Sequence, residues 1–317
     1  MYYLEDYREG NKFSGVYLCK QKQILKTKAG KTYYSLILQD KTGQVDGKVW
    51  ELSAAIAEFD SMNYIACEGT VTSFQGKLQI NLNRIRVAEE GEYDPSDYIP
   101  CSDKDVDEMK REILSFIGSV SNPYLQKLLN RYFVEDSEFV GAFLSHSAAK
   151  SVHHSFMGGL PEHTLAVTRI CNLFAAQYPL INQDLLITAS LLHDMGKVYE
   201  LTDFPENDYS DDGNLMGHIY IGARKIENAC EEIPDFPAKL KSELIHCILA
   251  HHGKLEFGSP KTPSLIEALA LHMADNSDAK LQTMSETLSA SKEEMGWLGF
   301  NRFLESNIRQ THSKPES

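Results

Sequence analysis

The sequence predicts a multi-domain protein in which a small all-β barrel is followed by an all-α domain. The chain has 317 residues, which is enough for two domains of ordinary size. Apolar and polar side chains alternate through residues 1–90, as they do in β-strands, whereas from Asp105 onward the apolar residues recur at helical spacing. We therefore predict a barrel over 1–90, a linker over 91–104, a helical domain over 105–310 and a frayed tail over 311–317.

Five strands are expected in the first domain. They are Phe13–Lys22, Thr32–Gln39, Gln44–Trp50, Asn63–Phe74 and Leu78–Val87. The apolar patch LSAAIAEF, which follows the third strand, predicts a short helix between strands three and four. This order fits a Greek-key barrel of the OB type. Another small β-barrel or a sandwich is the alternative.

The residues after the barrel, 88–104 (AEEGEYDPSDYIPCSDK), predict a linker that packs on the surface through Tyr93, Tyr98 and Ile99. Helical patterns follow it. They span Val106–Ile117, Pro123–Tyr132, Ser137–Leu144, Pro161–Gln177, Gln183–Met195, His218–Cys230, Leu240–His251 and Ser264–Asn276. Proline or glycine marks several of the ends.

The composition is that of a soluble globular protein, with 42% hydrophobic and 24% charged residues. No apolar run approaches the ~18 residues of a membrane span, and the start MYYLEDYREG lacks the basic and apolar regions of a signal peptide. We expect a cytoplasmic protein with no membrane partner. Six scattered cysteines without a CxxC pair indicate free core thiols rather than disulfides or a zinc ribbon.

Charge is unevenly distributed along the chain. The net charge is −14, yet residues 1–90 carry 12 basic and 11 acidic side chains, whereas the remainder carries 19 and 34. Between Gly10 and Gln39 there are six lysines and no acid. This local basic segment is either a nucleic-acid contact or an ordinary solvated face.

The stretch 186-LITASLLHDMGK-197 places His193 and Asp194 at the end of an apolar helix. An unpaired carboxylate buried there would cost several kcal/mol. Further polar side chains fall on the helical patterns, and the full candidate set is His163, His193, Asp194, His218, His251, His252 and Asp275. A single buried histidine is usually a satisfied core residue. Several histidines with two acids are better explained by one or two divalent cations, with Asp194 able to bridge them.

This order of histidines and aspartates resembles that of the HD-domain metal-dependent phosphohydrolases, in the version whose extra histidines hold two metals. Essentially the whole chain, 1–310, also resembles the YhaM family of 3′–5′ exoribonucleases. That family joins an OB-type domain and an acidic linker to an HD domain with a segment like VHHSFMGGLPEHT. The resemblance implies a homo-oligomer that degrades single-stranded RNA, with single-stranded DNA as a second candidate substrate, to nucleoside monophosphates with metal-activated water. The segment GWLGFNRFL is a candidate for self-association.

Family matching also implies roles for the candidate residues. One ion would be coordinated by His163, His193, Asp194 and Asp275. The other would be coordinated by His218, His251 and His252, with Asp194 bridging the two ions. Manganese is the first choice of ion, with cobalt, iron and zinc left open. Asp194 and Lys197 are the catalytic candidates. Lys197 could neutralise a phosphate oxygen; the alternative for Lys197 is a cation that interacts with the C-terminal end of a helix. For His153 and His154, packing or surface positions are favoured over substrate contact.

With this function, the barrel would bind single strands through a basic groove and stacked aromatic rings. Lys26, Lys28 and Lys31 are the candidates for phosphate contact. The candidates for base stacking are Tyr33, Trp50 and Phe74, together with Tyr34, although Tyr33 and Tyr34 point to opposite sides of their strand. The alternative to base stacking, for each of these aromatic residues, is a position in the barrel core.

Two other functions fit the same motifs. An HD domain can also act on a cyclic dinucleotide, guanosine tetraphosphate or a free nucleotide. Alternatively, the protein is a DNA- or RNA-binding protein whose HD domain is non-catalytic. The complete ligand set argues against the second alternative, since a silent site has no physical reason to keep buried charges.

Overall fold

A computed structural model of the chain describes residues 2–74, 76–99, 101–150, 154, 156–289 and 296–311. The chain divides into two compact units. The barrel unit comprises Met1–Cys101 and Phe204–Glu206, and the helical unit comprises Ser102–Asp203 and Asn207–Ser317.

Five strands form the barrel unit. They are β1 (Lys12–Lys26), β2 (Thr32–Asp40), β3 (Gly43–Val49), β4 (Tyr64–Phe74) and β5 (Lys77–Val87). The strand order β1-β2-β3-β5-β4 closes because β1 also pairs with β4. All pairs are antiparallel except β3 with β5. The predicted OB-type barrel is thereby confirmed.

The short helix predicted over LSAAIAEF is wrong. Residues 51–59 have no helix: residues 54–55 form a turn, and Ile56 makes an isolated bridge to Ile85 of β5. The Ile85 amide donates to the Ala55 carbonyl at 3.0 Å, and the Ala57 amide donates to the Ile85 carbonyl at 2.9 Å. Because these backbone groups bond to β5, they are not available for the i to i−4 bonds of a helix.

The barrel interior is filled by the inward side of each strand, including Phe13, Leu36, Ile65 and Ile80. After β5 the chain packs on this unit. Tyr93 stacks on Tyr64 with ring centroids 4.0 Å apart, and Tyr98 and Ile99 are buried. Aromatic contacts therefore attach the acidic segment after β5 to the barrel unit.

The helical unit contains nine α-helices among its described residues. They are α1 (Val106–Ser119), α2 (Pro123–Asn130), α3 (Ser137–Ser145), α4 (Gly159–Gln177), α5 (Gln183–Leu192), α6 (Lys197–Glu200), α7 (Asp211–Glu232), α8 (Ala238–Ala250) and α9 (Ile266–Ser289). A two-stranded hairpin follows, β6 (Trp297–Asn301) with β7 (Ser306–Arg309). The sequence patterns did not indicate this hairpin. Within the described ranges, no helix combines the length and apolar character that crossing a bilayer requires.

Three differences between the predicted and observed helix bounds concern candidate site residues. Helix α5 stops at Leu192, so His193 and Asp194 lie in the turn that follows it. Helix α7 begins at Asp211 and is interrupted at Gly217. Helix α9 continues to Ser289, so Asp275 lies inside this helix and does not end it. Residues 276–289 include neither glycine nor proline, so no helix breaker stops the helix soon after Asp275.

Candidate metal centre and nucleic-acid interface

The helical unit brings the seven candidate metal ligands together. Six of them form two clusters, in each of which one donor atom per residue lies within 4.8 Å of the others. The first cluster is His163, His193 and Asp275, and the second cluster is His218, His251 and His252.

Asp194 lies between the two clusters. Its Oδ2 is 3.4 Å from Nε2 of both His163 and His193, and its Oδ1 is 3.5 Å from Nε2 of both His218 and His251. The carboxylate therefore presents one oxygen to each cluster, which is the arrangement expected of a bridging ligand.

Two glycines place His218 beside the turn that carries Asp194. Gly217 adopts φ 73°, and the helix resumes at His218 after this kink. A Cβ on Gly196 would lie 2.0 Å from the His218 carbonyl oxygen. The glycine of the HDMGK segment thus allows the chain after α5 to approach the backbone of α7.

Five imidazoles share one orientation, in which Nδ1–H donates away from the centre. The acceptors are Asp278 Oδ2 for His163 (2.7 Å), the Ser190 carbonyl for His193 (2.7 Å), Glu200 Oε1 for His218 (3.0 Å), the Ile248 carbonyl for His251 (2.7 Å) and the Phe257 carbonyl for His252 (2.9 Å). A neutral imidazole has one donor and one acceptor nitrogen. In its neutral form, each ring therefore carries its lone pair on Nε2.

Nε2 atoms and carboxylate oxygens face one another in the interior. His163 Nε2 lies 3.3 Å from His193 Nε2 and 3.3 Å from Asp275 Oδ1. Within the part of the chain that the structure describes, Asp194 Oδ1, His218 Nε2 and His251 Nε2 are buried without a hydrogen-bond partner. Buried acceptors without donors are unfavourable, and imidazole with carboxylate is a donor set for divalent transition metals. The residues present therefore fit two such cations.

The pKa shifts of Asp194 and of the first cluster reflect how closely carboxylates and imidazoles are packed there. Burial would raise the pKa of Asp194, but the Lys197 ammonium and His193 hold it well below its usual value. Burial would also raise the pKa of Asp275, but the hydrogen bond from His163 lowers this pKa below its usual value. Burial would lower the pKa of His163, but the surrounding carboxylates raise it well above its usual value. The first cluster thus attracts a positive charge.

Two imidazoles of the second cluster, those of His251 and His252, favour the neutral form. Burial lowers the pKa of His252 to about 3, with help from the neighbouring His251 and His218. Burial also lowers the pKa of His251. Neutral imidazoles are the form that coordinates a metal.

Lys197, the second catalytic candidate, begins α6 and donates from Nζ to Asp194 Oδ2 at 2.6 Å. Its alternative as a cation at the end of the preceding helix does not describe this position. The ion pair is largely buried, so the ammonium keeps Asp194 ionised at neutral pH.

The sequence patterns missed two carboxylates of this region, Asp278 and Glu200. Asp278 follows Asp275 by three residues on α9, and this spacing places both side chains on one face of a helix. A predicted helix that continued past Asn276 would have indicated Asp278 as a neighbour of Asp275. No comparable signal marks Glu200. His154 is buried and its Nε2 lies 3.2 Å from Asp278 Oδ2, whereas His153 lies outside the described residues.

On the barrel, two of the predicted stacking residues meet. The Tyr33 and Trp50 rings stack with centroids 4.7 Å apart, and the Trp50 indole N–H donates to Asn81 Oδ1 at 3.0 Å. Tyr34 points the other way and packs against the barrel core. Phe74 is 62% exposed, but it pairs with Lys77 at the β4–β5 turn, four residues along β5 from Asn81.

The three predicted phosphate-contacting lysines are exposed near one another in the chain. Lys26 ends β1, and Lys28 and Lys31 lie in the turn that leads to β2. The Lys31 ammonium is 3.3 Å from the exposed Glu51 carboxylate. Such an exposed ion pair is weak and leaves the lysine accessible to a phosphate.

Comparison with known proteins matches each unit separately. Residues 161–280 match the HD domain family, and residues 20–88 match the family described as OB-fold nucleic acid binding domain.

Two solved structures are similar to part of the chain. One is a replication protein A heterotrimer bound to ssDNA, with 22% identity over 27% of this chain and 64% of that chain and a TM-score of 0.21; this chain thus spans less than two thirds of its length. The other is the second OB-fold domain of replication protein A from Methanococcus maripaludis, with 22% identity over 28% of this chain and 96% of that chain and a TM-score of 0.22.

The protein thus combines an OB-fold domain of a nucleic-acid-binding family with an HD domain. The HD domain indicates a metal-dependent phosphohydrolase, and groups of histidine and aspartate side chains in the helical unit are able to hold metal ions.

Proposed function

We propose that the protein is a metal-dependent 3′–5′ exoribonuclease that degrades single-stranded RNA, and also single-stranded DNA, to nucleoside monophosphates. The observation that carries the proposal is the convergence of four imidazole Nε2 atoms on the Asp194 carboxylate, with Asp275 and His252 in the adjoining clusters. The same chain also has a barrel that matches an OB-fold nucleic acid binding domain. Manganese is the proposed ion.

The chain's own residues prepare the centre for phosphodiester hydrolysis. Divalent cations held by the two clusters would acidify a water molecule and neutralise charge on the phosphate. Lys197 keeps Asp194 in the anionic form through its 2.6 Å contact, and the five outward hydrogen bonds hold each imidazole with Nε2 facing the centre. Because the rings are fixed before a substrate arrives, little reorganisation accompanies the reaction.

The barrel supplies a surface for the strand. Tyr33 and Trp50 offer a stacked aromatic pair next to exposed lysines at the β1–β2 turn. A base can stack on such rings whatever its identity, and lysines attract the phosphates. This combination favours a polymer over a free nucleotide as substrate.

The test is the product ladder from a 5′-labelled single-stranded RNA, with and without manganese. We expect products that shorten one nucleotide at a time from the 3′ end, with release of monophosphates, only when metal is present. Asp194→Ala should abolish the ladder, whereas Asp212→Ala, which removes an exposed acid from the first turn of α7, should retain it. Full activity in Asp194→Ala would contradict the proposal.

A substrate panel separates the proposal from its alternatives. Single-stranded RNA, single-stranded DNA, a cyclic dinucleotide and free nucleotides are assayed under the same conditions. Cleavage of the small molecules alone would establish an HD phosphohydrolase of another substrate class. Strand binding without cleavage of any substrate would establish a nucleic-acid-binding protein with a non-catalytic HD domain.

We also propose that the protein forms a homo-oligomer through the β6–β7 hairpin, the fold of the segment GWLGFNRFL and its continuation. Trp297 is 66% and Phe300 63% exposed. Trp297 and Phe300 are three residues apart, which in a regular strand would put them on opposite faces. The register irregularity between Trp297 and Gly299 brings both side chains to the same face, opposite the buried Ile308. Light scattering should give a mass above that of one chain, and Trp297→Ser should lower it. A monomeric wild-type protein would contradict this assembly.

A further inference from the structure

The hydrogen-bond acceptors that orient the five imidazoles are of two chemical kinds. His193 and His251 each donate to a carbonyl three residues earlier in the chain, and His252 donates to the Phe257 carbonyl. His163 and His218 instead donate to carboxylates, those of Asp278 and Glu200. Each cluster therefore contains one imidazole whose acceptor is an acid.

Asp278 acts on the first cluster from inside α9. Its Oδ2 accepts from His163 Nδ1 at 2.7 Å, while Asp275, one turn earlier on the same helix, faces His163 Nε2 at 3.3 Å. Both nitrogens of one ring are thus contacted by acids of a single helix. The same Asp278 oxygen lies 3.2 Å from His154 Nε2, so His154 contacts the carboxylate that holds His163.

Glu200 acts on the second cluster from the end of α6. Its Oε1 accepts from two donors of the same residue, the His218 backbone amide at 2.9 Å and the His218 Nδ1 at 3.0 Å. This fixes the ring relative to its own backbone at the point where α7 resumes after Gly217. The side chain is 11% exposed, so water competes little for it.

A carboxylate acceptor does more than a carbonyl in this position. It fixes the tautomer and the orientation of the ring, and its negative charge makes the other nitrogen a better metal ligand; loss of such a partner typically weakens metal binding about 10- to 100-fold. The two acids belong to different helices and contact different rings, so their effects are separable.

We propose that Asp278 and Glu200 are positioning residues, each specific to one cation: Asp278 tunes the first cluster through His163, and Glu200 tunes the second cluster through His218. The inference rests on the proposed function in requiring that the two clusters bind divalent cations. It adds two residues outside the seven ligands and assigns each to one site.

The test measures manganese binding by calorimetry on the full chain after removal of metal with a chelator. The variants are Asp278→Asn and Glu200→Gln, which keep the side-chain shape and remove the charge, with Glu286→Gln as control because Glu286 is an exposed acid of α9. We expect two binding steps in the wild type and the control. Each variant should weaken one step about 10- to 100-fold and leave the other unchanged, with an unaltered circular dichroism spectrum.

A second set of variants assigns each effect to a cluster. In His251→Ala, whose second cluster lacks a ligand, adding Asp278→Asn should weaken the remaining step, whereas adding Glu200→Gln should not. In His163→Ala the pattern should reverse. Coupling of this kind is what a double-mutant cycle detects, and a purely structural role for the acids would not produce it.

The outcomes separate this inference from the proposed function. The assignment would be overturned if the wild type bound manganese in two steps and neither amide variant altered them. It would also be overturned if both variants weakened the same step. Either result would leave the proposed metal centre intact. A wild-type chain that binds no manganese, cobalt, iron or zinc would overturn the proposed function together with it. If the amide variants do not fold, Asp278→Glu and Glu200→Asp, which keep the charge but displace the acceptor, are expected to weaken the same respective steps.

Discussion

Gly196 tests how closely the turn after α5 must approach α7. In Gly196→Ala the new Cβ would lie 2.0 Å from the His218 carbonyl oxygen, 2.8 Å from its carbonyl carbon and 2.9 Å from the Gly222 amide nitrogen. All three are backbone atoms, so no side chain can rotate away. The gap to the oxygen must open from 2.0 Å to the 3.4 Å at which ordinary van der Waals contact begins.

We estimate the effect from the cost of overpacking. Because backbone has to move, the upper end of the usual range applies, about 3 kcal/mol, which corresponds to a fall in the melting temperature of the helical unit of about 6 to 12 °C. The displacement also carries His218 away from Asp194. Manganese should therefore bind the second cluster at least about tenfold more weakly.

Gly141→Ala is the matched control. Gly141 lies within α3, and a Cβ there would meet nothing within 4 Å. This replacement should stabilise the protein by about 0.5–1 kcal/mol, since alanine is the better helix former. Calorimetric melting and manganese titration of both variants provide the comparison. A Gly196→Ala protein as stable as Gly141→Ala and with unchanged metal affinity would refute the close approach.

Three further predictions concern the strand-binding surface and the metal. Trp50→Ala removes one ring of the stacked pair and should weaken binding to single-stranded RNA by about 1–3 kcal/mol, roughly fivefold to 150-fold, in fluorescence anisotropy; unchanged affinity would exclude stacking at this site. Replacing Lys26, Lys28 and Lys31 together by glutamine should flatten the plot of log affinity against log salt by about 2, since each phosphate contact on a single strand contributes about 0.7; an unaltered slope would place the phosphates elsewhere. Manganese at about 100 times the dissociation constant of each site should stabilise the native state by about 2.7 kcal/mol per bound ion. For two ions, the sum of about 5.4 kcal/mol should raise the melting temperature of the helical unit by about 11 to 22 °C, and a chelator should reverse this; an unchanged melting temperature would contradict cation binding to the folded chain.

The barrel was predictable because alternation along each strand reports directly which side chains face inward. The pattern of LSAAIAEF failed for a physical reason. Only Ile56 and Phe59 of this stretch are removed from solvent to any extent, and two such residues three apart are as compatible with a turn as with a helix. The bonds from Ala55 and Ala57 to Ile85 depend on β5, which a local pattern does not include.

The grouping of the candidate histidines and aspartates was predictable for a different reason. Buried histidines and aspartates on apolar segments require a partner, and the order of these residues matched a known pattern. Their hydrogen-bond acceptors were not predictable in general. The Ser190 and Ile248 carbonyls are backbone atoms, which every residue offers, and Glu200 is brought to His218 only by the path of the chain between α6 and α7.

The central claim is that the inward Nε2 atoms and the carboxylates of Asp194 and Asp275 hold divalent cations. Equilibrium dialysis against manganese, followed by elemental analysis of the protein, measures this directly. The structure predicts about two ions per chain in the wild type and a reduced number in Asp194→Ala. A wild-type chain that retains no manganese, and none of cobalt, iron or zinc in parallel dialyses, would contradict it.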